Sequence, residues 1–137
     1  KDYVFDWERM LAFVGNTAPY LQYAHARICS LFRRGDVDRM SVRNNTIQVE
    51  VPQERTLALA LLAYPSAIVA TLDTYSPHRL CTYLYDLSSD FTAFYEHCPV
   101  LKADDATRAS RLALSDLTAR VLEHGLGLLG IDVPERM

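Results

Sequence analysis

Ser76-Pro77-His78-Arg79-Leu80-Cys81-Thr82-Tyr83-Leu84-Tyr85-Asp86-Leu87-Ser88-Ser89-Asp90-Phe91-Thr92-Ala93-Phe94-Tyr95-Glu96-His97-Cys98-Pro99 carries the strongest periodicity in the chain. Leu80, Leu84, Leu87, Phe91, Phe94 and Cys98 recur at alternating steps of four and three, the spacing that gathers side chains on one face of an α-helix. Ser76 followed by Pro77 reads as a cap and a first-turn proline, where the missing N–H costs nothing, and Pro99 ends the run.

Helical signals continue on both sides. Upstream, Pro52 opens a helix through Leu57, Leu61 and Leu62 to Tyr64; Pro65 sets a boundary, and a short helix runs from Ser66 to about Thr74. Gly35 to Val51 has no helical period: Ile47 to Val51 alternates, but a strand there has no partner, so the segment reads as a loop with a turn at Asn44-Asn45. Downstream, Asp104 or Asp105 caps a last helix that runs through Leu114, Leu117, Val121 and Leu128 to Gly130. Gly125 and Gly127 inside it point to close helix contact, because an uncompensated helical glycine costs about 1 kcal/mol. A short helical or turn-like entry spans Phe5 to Met10, runs into Leu11 and Phe13, and is broken by Gly15. Together these elements predict an all-α fold, a single bundle of five or six helices without repeats or an internal domain boundary.

With half its residues apolar and only five glycines and six prolines, the 137-residue chain should fold rather than stay disordered. A net charge of −3 argues against a protein that coats nucleic acid indiscriminately, but the charge is uneven. Arg27, Arg33, Arg34, Arg39 and Arg43 lie between His25 and Arg43 against only Asp36 and Asp38, which suits a binder that uses one face. Cys29, Cys81 and Cys98 are odd in number and widely spaced, which fits reduced, mostly buried thiols in a cytoplasmic protein. The apolar run from Leu57 to Leu72 is broken at Pro65 and reads as too short to span a bilayer, so no membrane partner is expected. The first residue, Lys1, suggests a segment cut from a longer protein.

The stretch Gly15-Asn16-Thr17-Ala18-Pro19-Tyr20-Leu21-Gln22-Tyr23-Ala24-His25-Ala26-Arg27 starts another helix, with Asn16 or Thr17 as cap, that extends from Pro19 to Arg34 and stops at Gly35, a natural C-terminal position after two arginines. Leu21, Ala24, Ile28, Leu31 and Phe32 gather on one side, and Tyr20, Tyr23, Arg27 and Arg34 line its edge. Flat rings and guanidinium groups in one stripe suit the bases and phosphates of an unpaired RNA; the plainer reading is a core helix with tyrosines at its rim. Tyr95 falls outside the Phe91–Phe94–Cys98 line, as an edge residue over the core or as an exposed stacking surface.

Catalytic patterns are missing. No GxSxG, Walker or strand-borne GxGxxG motif occurs, and the glycines from Gly125 to Gly130 end a helix instead of opening one. His25 and Cys29 have a chelating spacing without further ligands, and His97 beside Cys98 does not make a thiol–imidazole dyad. No catalytic or metal-binding residue is assigned.

Asp6-Trp7-Glu8-Arg9-Met10-Leu11 and the Gly15-to-Arg27 stretch resemble the segment that follows the catalytic core in arginyl-tRNA synthetases. Tyr83-Leu84-Tyr85-Asp86-Leu87, Phe94-Tyr95-Glu96-His97-Cys98-Pro99-Val100-Leu101, Ser110-Arg111-Leu112-Ala113-Leu114, Gly125-Leu126-Gly127-Leu128-Leu129-Gly130-Ile131 and Pro134-Glu135-Arg136-Met137 agree in order, so the likeness spans essentially the whole chain. It implies a helical anticodon-binding domain over residues 1–137, of the type named for an Asp-Ala-Leu-Arg motif. Asp105-Ala106-Thr107-Arg108 is similar to that motif, with Thr107 in the leucine's place. The resemblance implies arginine-accepting tRNA as partner and no DNA partner, with Tyr20, Tyr23, Arg27, Tyr95 and Met137 as RNA-binding residues, to which the helix stripe adds Arg34 for phosphate attraction. It also implies a monomeric cytoplasmic parent enzyme that uses ATP and Mg. The His-Ile-Gly-His-like and Lys-Met-Ser-Lys-Ser-like signatures of the ATP site do not occur here, so this segment is expected to bind no cofactor and to lack activity by itself. Two alternatives are a helical interaction or dimerisation module built on the Leu80-to-Cys98 line, and the anticodon domain of a related class I synthetase.

Overall fold

The computed structural model describes residues 6–137. The expected entry segment begins at Phe5, and its first residue lies outside the described ones. Among these, six α-helices and one 3₁₀ turn follow in order, with no strand. They are α1 (Trp7–Met10), α2 (Ala18–Gly35), the 3₁₀ turn (Arg39–Val42), α3 (Pro52–Leu62), α4 (Tyr64–Asp73), α5 (Pro77–His97) and α6 (Asp105–Leu128).

The periodic stretch forms α5, which packs against α2, α3, α4 and α6 and so runs through the core. Leu80, Leu84, Leu87, Phe91, Phe94 and Cys98 are all buried. That line is consumed inside the chain, which removes the surface on which a dimerisation reading rested. Apolar area of this kind stabilises at roughly 25 cal/mol per Å² removed from water.

Local chemistry sets the helix ends. Thr17 caps α2 by accepting from the Tyr20 N–H at 3.3 Å, and its hydroxyl donates to the Ala12 carbonyl at 2.6 Å, tying the entering segment to the helix. Asp104 caps α6, accepting from the Thr107 N–H at 3.1 Å. Gly35 does not take the left-handed position at the end of α2; Asp36 does, with φ of 48°. Gly35 is instead a close approach, because a Cβ there would lie 2.7 Å from Leu101 Cδ2.

Two expectations need correction. The boundary assigned to Pro65 falls at Ala63, and Pro65 sits in the first turn of α4, where a proline is tolerated. Pro52 to Asp73 is therefore a nearly continuous helical run of 22 residues, long and apolar enough by length and composition to cross a membrane, contrary to the shorter reading. In the fold it lies along α5 through Leu57 and Leu61, leaving Leu59, Leu62, Val69 and Leu72 exposed. A phenol and a carboxylate fasten it. Tyr83 donates to the Ala60 carbonyl at 2.8 Å. Glu54 is buried, accepts from the Glu50 and Val51 N–H groups, and meets Arg111 Nε at 2.7 Å. Burial pushes the Glu54 carboxyl up, but those hydrogen bonds and Arg111 outweigh it and hold the group below its ordinary value.

The two glycines inside α6 also differ from expectation, since only one is a close contact. Gly125 is a close contact, since a Cβ would lie 2.6 Å from Leu84 Cδ2, whereas one on Gly127 would meet open space. Gly125→Ala should therefore destabilise the fold by about 1–3 kcal/mol through overpacking. Gly127→Ala should stabilise it by up to about 1 kcal/mol through helix propensity. Thermal melts of the two variants check the opposite signs.

Candidate nucleic-acid interface

α2 brings the predicted stripe to the surface, and α5 supplies the residue beside it. The Arg27 guanidinium carbon lies 4.4 Å from the centroid of the Tyr95 ring, a cation–π contact. Arg34 Nη1 donates to the Tyr95 hydroxyl at 3.2 Å. One face of Tyr95 is thus covered by a guanidinium plane, and its polar tip by a second. The ring also packs on Phe91, with centroids 6.0 Å apart. Of the two readings left open for Tyr95, the structure has the edge residue: the ring is half-buried against the core and seats two cations.

Two shallow depressions flank this cluster. Tyr23, Ala26, Arg27, Ser30, Arg33 and Met137 line one of about 170 Å³. Leu31, Arg34, Tyr95, Pro99, Leu101 and Lys102 are among the residues lining another, of about 190 Å³. Tyr23 is 47% exposed and Met137 57%, so both offer apolar surface to an incoming partner. Tyr20 is placed differently. Its ring leans on Tyr85 at 5.4 Å and packs on the core, and it lines neither depression.

The positive stretch divides. Arg39 and Arg43 turn inward to the buried Asp116 of α6, at 2.9 and 3.4 Å, where Arg120 also arrives at 3.0 Å. Arg27, Arg33 and Arg34 stay on the outer edge of α2. Sequence proximity grouped the five arginines, but only the helix's rotation and the turn after it separate them. Lys102, just after α5, joins the second depression, and no local sequence signal marked it.

The segment after α6 brings Met137 to this face. Gln22 Nε2 donates to the Asp132 carbonyl at 2.7 Å, and Arg33 Nη1 to the Glu135 carbonyl at 2.9 Å. His25 is fully buried, with Nδ1 3.3 Å from the Pro134 carbonyl. A carbonyl only accepts, so Nδ1 carries the proton and Nε2 faces Glu123 Oε1 at 3.7 Å. Cys29 Sγ packs 3.9 Å from the imidazole; burial pushes its thiol up, as it does the Cys98 thiol. Cys29 and Cys98 are buried and Cys81 is half-buried, in keeping with mostly buried thiols. His97 Nδ1 donates to the Ala93 carbonyl of its own helix at 2.8 Å. Asp105-Ala106-Thr107-Arg108 opens α6, and Arg108 Nη2 reaches the Gly35 carbonyl at 3.5 Å. That motif joins two helix ends.

The fold and this face define a class: an all-α bundle presenting tyrosine and guanidinium groups along the edge of one helix. Residues 21–137 match the family model described as the DALR anticodon binding domain. The chain belongs to that family. It is 58% identical over 137 residues to an arginine–tRNA ligase of Thermobifida fusca and 53% identical to one of Sodalis glossinidius. Each alignment covers 99% of this chain but 24% of the relative, so the chain spans about a quarter of the length of these relatives. Among solved structures, arginyl-tRNA synthetase from Plasmodium falciparum superposes with a TM-score of 0.90 at 33% identity, over 100% of this chain and 24% of that one. The Thermus thermophilus arginyl-tRNA synthetase gives 0.79 at 37%, over 93% and 22%.

Burial holds the His25 imidazole below its ordinary value of 6.5, against the opposing pull of the Pro134 carbonyl and Glu123. Between the two values the unfolded chain binds a proton that the folded chain does not. Stability from this group is therefore complete above about pH 6.5 and falls as pH drops toward the folded value. Glu54, held low, loses its contribution only in a more acid window. His25→Asn keeps a donor for Pro134 without the titration. Its melting temperature should fall less than the parent's between about pH 7.5 and pH 5.5. Parallel curves would count against the assignment.

Proposed function

We propose that this chain is the tRNA anticodon-loop binding domain of an arginine–tRNA ligase, spanning residues 1–137 within a longer cytoplasmic protein. It would grip the anticodon loop and so position the acceptor end of arginine-accepting tRNA in a catalytic region outside this sequence. There ATP, with Mg, would drive aminoacylation with arginine. The domain itself would hold no cofactor, perform no chemistry and act as a monomer. The observation that carries the reading is the Arg27–Tyr95–Arg34 cluster beside exposed Tyr23 and Met137 in a member of the anticodon-binding family.

The roles divide by geometry. Tyr23 is open enough to stack on a splayed base, which is worth about 1–3 kcal/mol. Tyr95 is covered on one face by Arg27, so the surface it offers there is the guanidinium plane, itself a stacking and hydrogen-bonding group. Arg33 and Arg34 supply attraction for phosphates, and Met137 adds apolar contact. Tyr20, leaning on Tyr85, would act at the margin of the loop's path. Stacking discriminates poorly among bases, so base identity must come from hydrogen bonds at the depressions.

Two binding measurements test this. Arginine-accepting tRNA should bind more tightly than a variant with its central anticodon base replaced, and equal affinities would overturn anticodon reading. Tyr23→Ala should weaken binding by about 5- to 100-fold while leaving the helical circular-dichroism signal intact, since Tyr23 lies outside the core.

A further inference from the structure

On an ideal helix each residue turns about 100°, and α2 divides into three arcs. With Gln22 at zero, the core residues Leu21, Ala24, Ile28, Leu31 and Phe32 fall between about 180° and 280°. Tyr23, Arg27 and Arg34 fall between about 100° and 140°. Gln22, His25 and Arg33 occupy the third arc, from about 300° to 20°. These last three donate to the backbone carbonyls of Asp132, Pro134 and Glu135, in the same order along both segments.

The arrangement is specific to a backbone. Three side-chain donors meet three carbonyls, so they hold residues 132–135 as a strap along α2 without reading its side chains. Pro134 suits that path, because it keeps the preceding Val133 extended and offers no N–H of its own. Val133 and Ile131 pack against the core and fix the strap's near end. Ala26 lies at about 40°, between the clamp arc and the aromatic edge. It is buried, and with Met137 it lines the first depression. His25 is the one of the three that is fully buried. A fully buried imidazole without the Pro134 carbonyl would leave a donor unsatisfied, which is costly in a core.

We propose that Gln22, His25 and Arg33 are positioning residues: they clamp the backbone of residues 132–135 to α2 and thereby seat Met137 beside Tyr23 and Arg27 as part of the RNA-contact surface. This rests on the reading of that surface as the anticodon-loop site. The clamp residues act through Met137.

The chain has three methionines, Met10, Met40 and Met137, so a sample labelled with ¹³C at the methionine methyls gives three resonances. Met137→Leu identifies the one of interest. In the parent that methyl should be shifted by the Tyr23 ring, and Tyr23→Ala should abolish the shift. Gln22→Ala and His25→Leu should move it toward the position of a free methionine, whereas His25→Asn, which keeps a donor, should hold it. Gln22 is only half-buried, so its variant folds even where a substitution of buried His25 fails. Gln22→Ala should also weaken binding of arginine-accepting tRNA by roughly five- to tenfold. On a Met137→Ala background the same change should cost less than about twofold, because the two act through one contact. A Met137 methyl unchanged in Gln22→Ala and His25→Leu would overturn the clamp. A displaced methyl with unchanged affinity would overturn its role in RNA contact. A parent chain that does not distinguish the central anticodon base would refute the functional reading, while the methyl spectra would still decide the clamp.

Discussion

Three guanidinium groups converge on one buried carboxylate, and much of the molecule's surface follows from that meeting. Asp116 is withdrawn from solvent on α6, with Arg39, Arg43 and Arg120 around it. A carboxylate left unpaired at such depth costs several kcal/mol, so these cations are committed to it. Two of them come from the segment just after α2, and their attachment pins the 3₁₀ turn to α6. Arg39 also reaches Glu123 at 3.5 Å, the same carboxylate that faces His25. The end of α2, the turn and α6 thus share one electrostatic junction, and the strap over His25 rests on its edge.

Seven of the arginines fall into two sets. Arg39, Arg43, Arg111 and Arg120 pair with carboxylates. Arg27, Arg33 and Arg34 have neutral partners: a tyrosine ring, a backbone carbonyl and a tyrosine hydroxyl. The first set stabilises the fold, and its charge is spent locally. The second keeps its charge available while its geometry is restrained. A guanidinium already oriented over an aromatic ring loses less freedom on meeting a ligand than a free one would.

The sequence made the helices readable because their signals are local. The four–three spacing from Leu80 to Cys98, the proline starts at Pro52 and Pro77 and the cap at Asp104 each depend on a few neighbouring residues. Where the reading departed from the structure, the deciding partner lay far along the chain. Gly35 is small because of Leu101, and Gly125 because of Leu84, whereas Gly127 has no such neighbour and spacing could not tell the two apart. The site behaves the same way. Helical rotation put Tyr23, Arg27 and Arg34 on one edge, but residue types alone could not show Arg27 lying over Tyr95, 68 positions away (95 − 27). Nor could they show Tyr20 withdrawn onto Tyr85, or Lys102 beside Arg34.

A net charge of −3 constrains what such a face can do. Long-range attraction to a polyanion is weak for this chain, so affinity cannot come from a general positive field. For the proposed RNA partner it would come from short-range contacts, and α2 concentrates groups suited to them: an open ring at Tyr23, a held guanidinium at Arg27, and an apolar end group at Met137. Phosphate contacts add affinity for any RNA, whereas stacking and shaped depressions require a loop whose bases are splayed outward. Under the proposed reading, a face with restrained cations and several oriented flat groups would favour an unpaired loop over a duplex. One helix can present that face only because its other two arcs are held, one by the core of α5 and α6 and one by the strap.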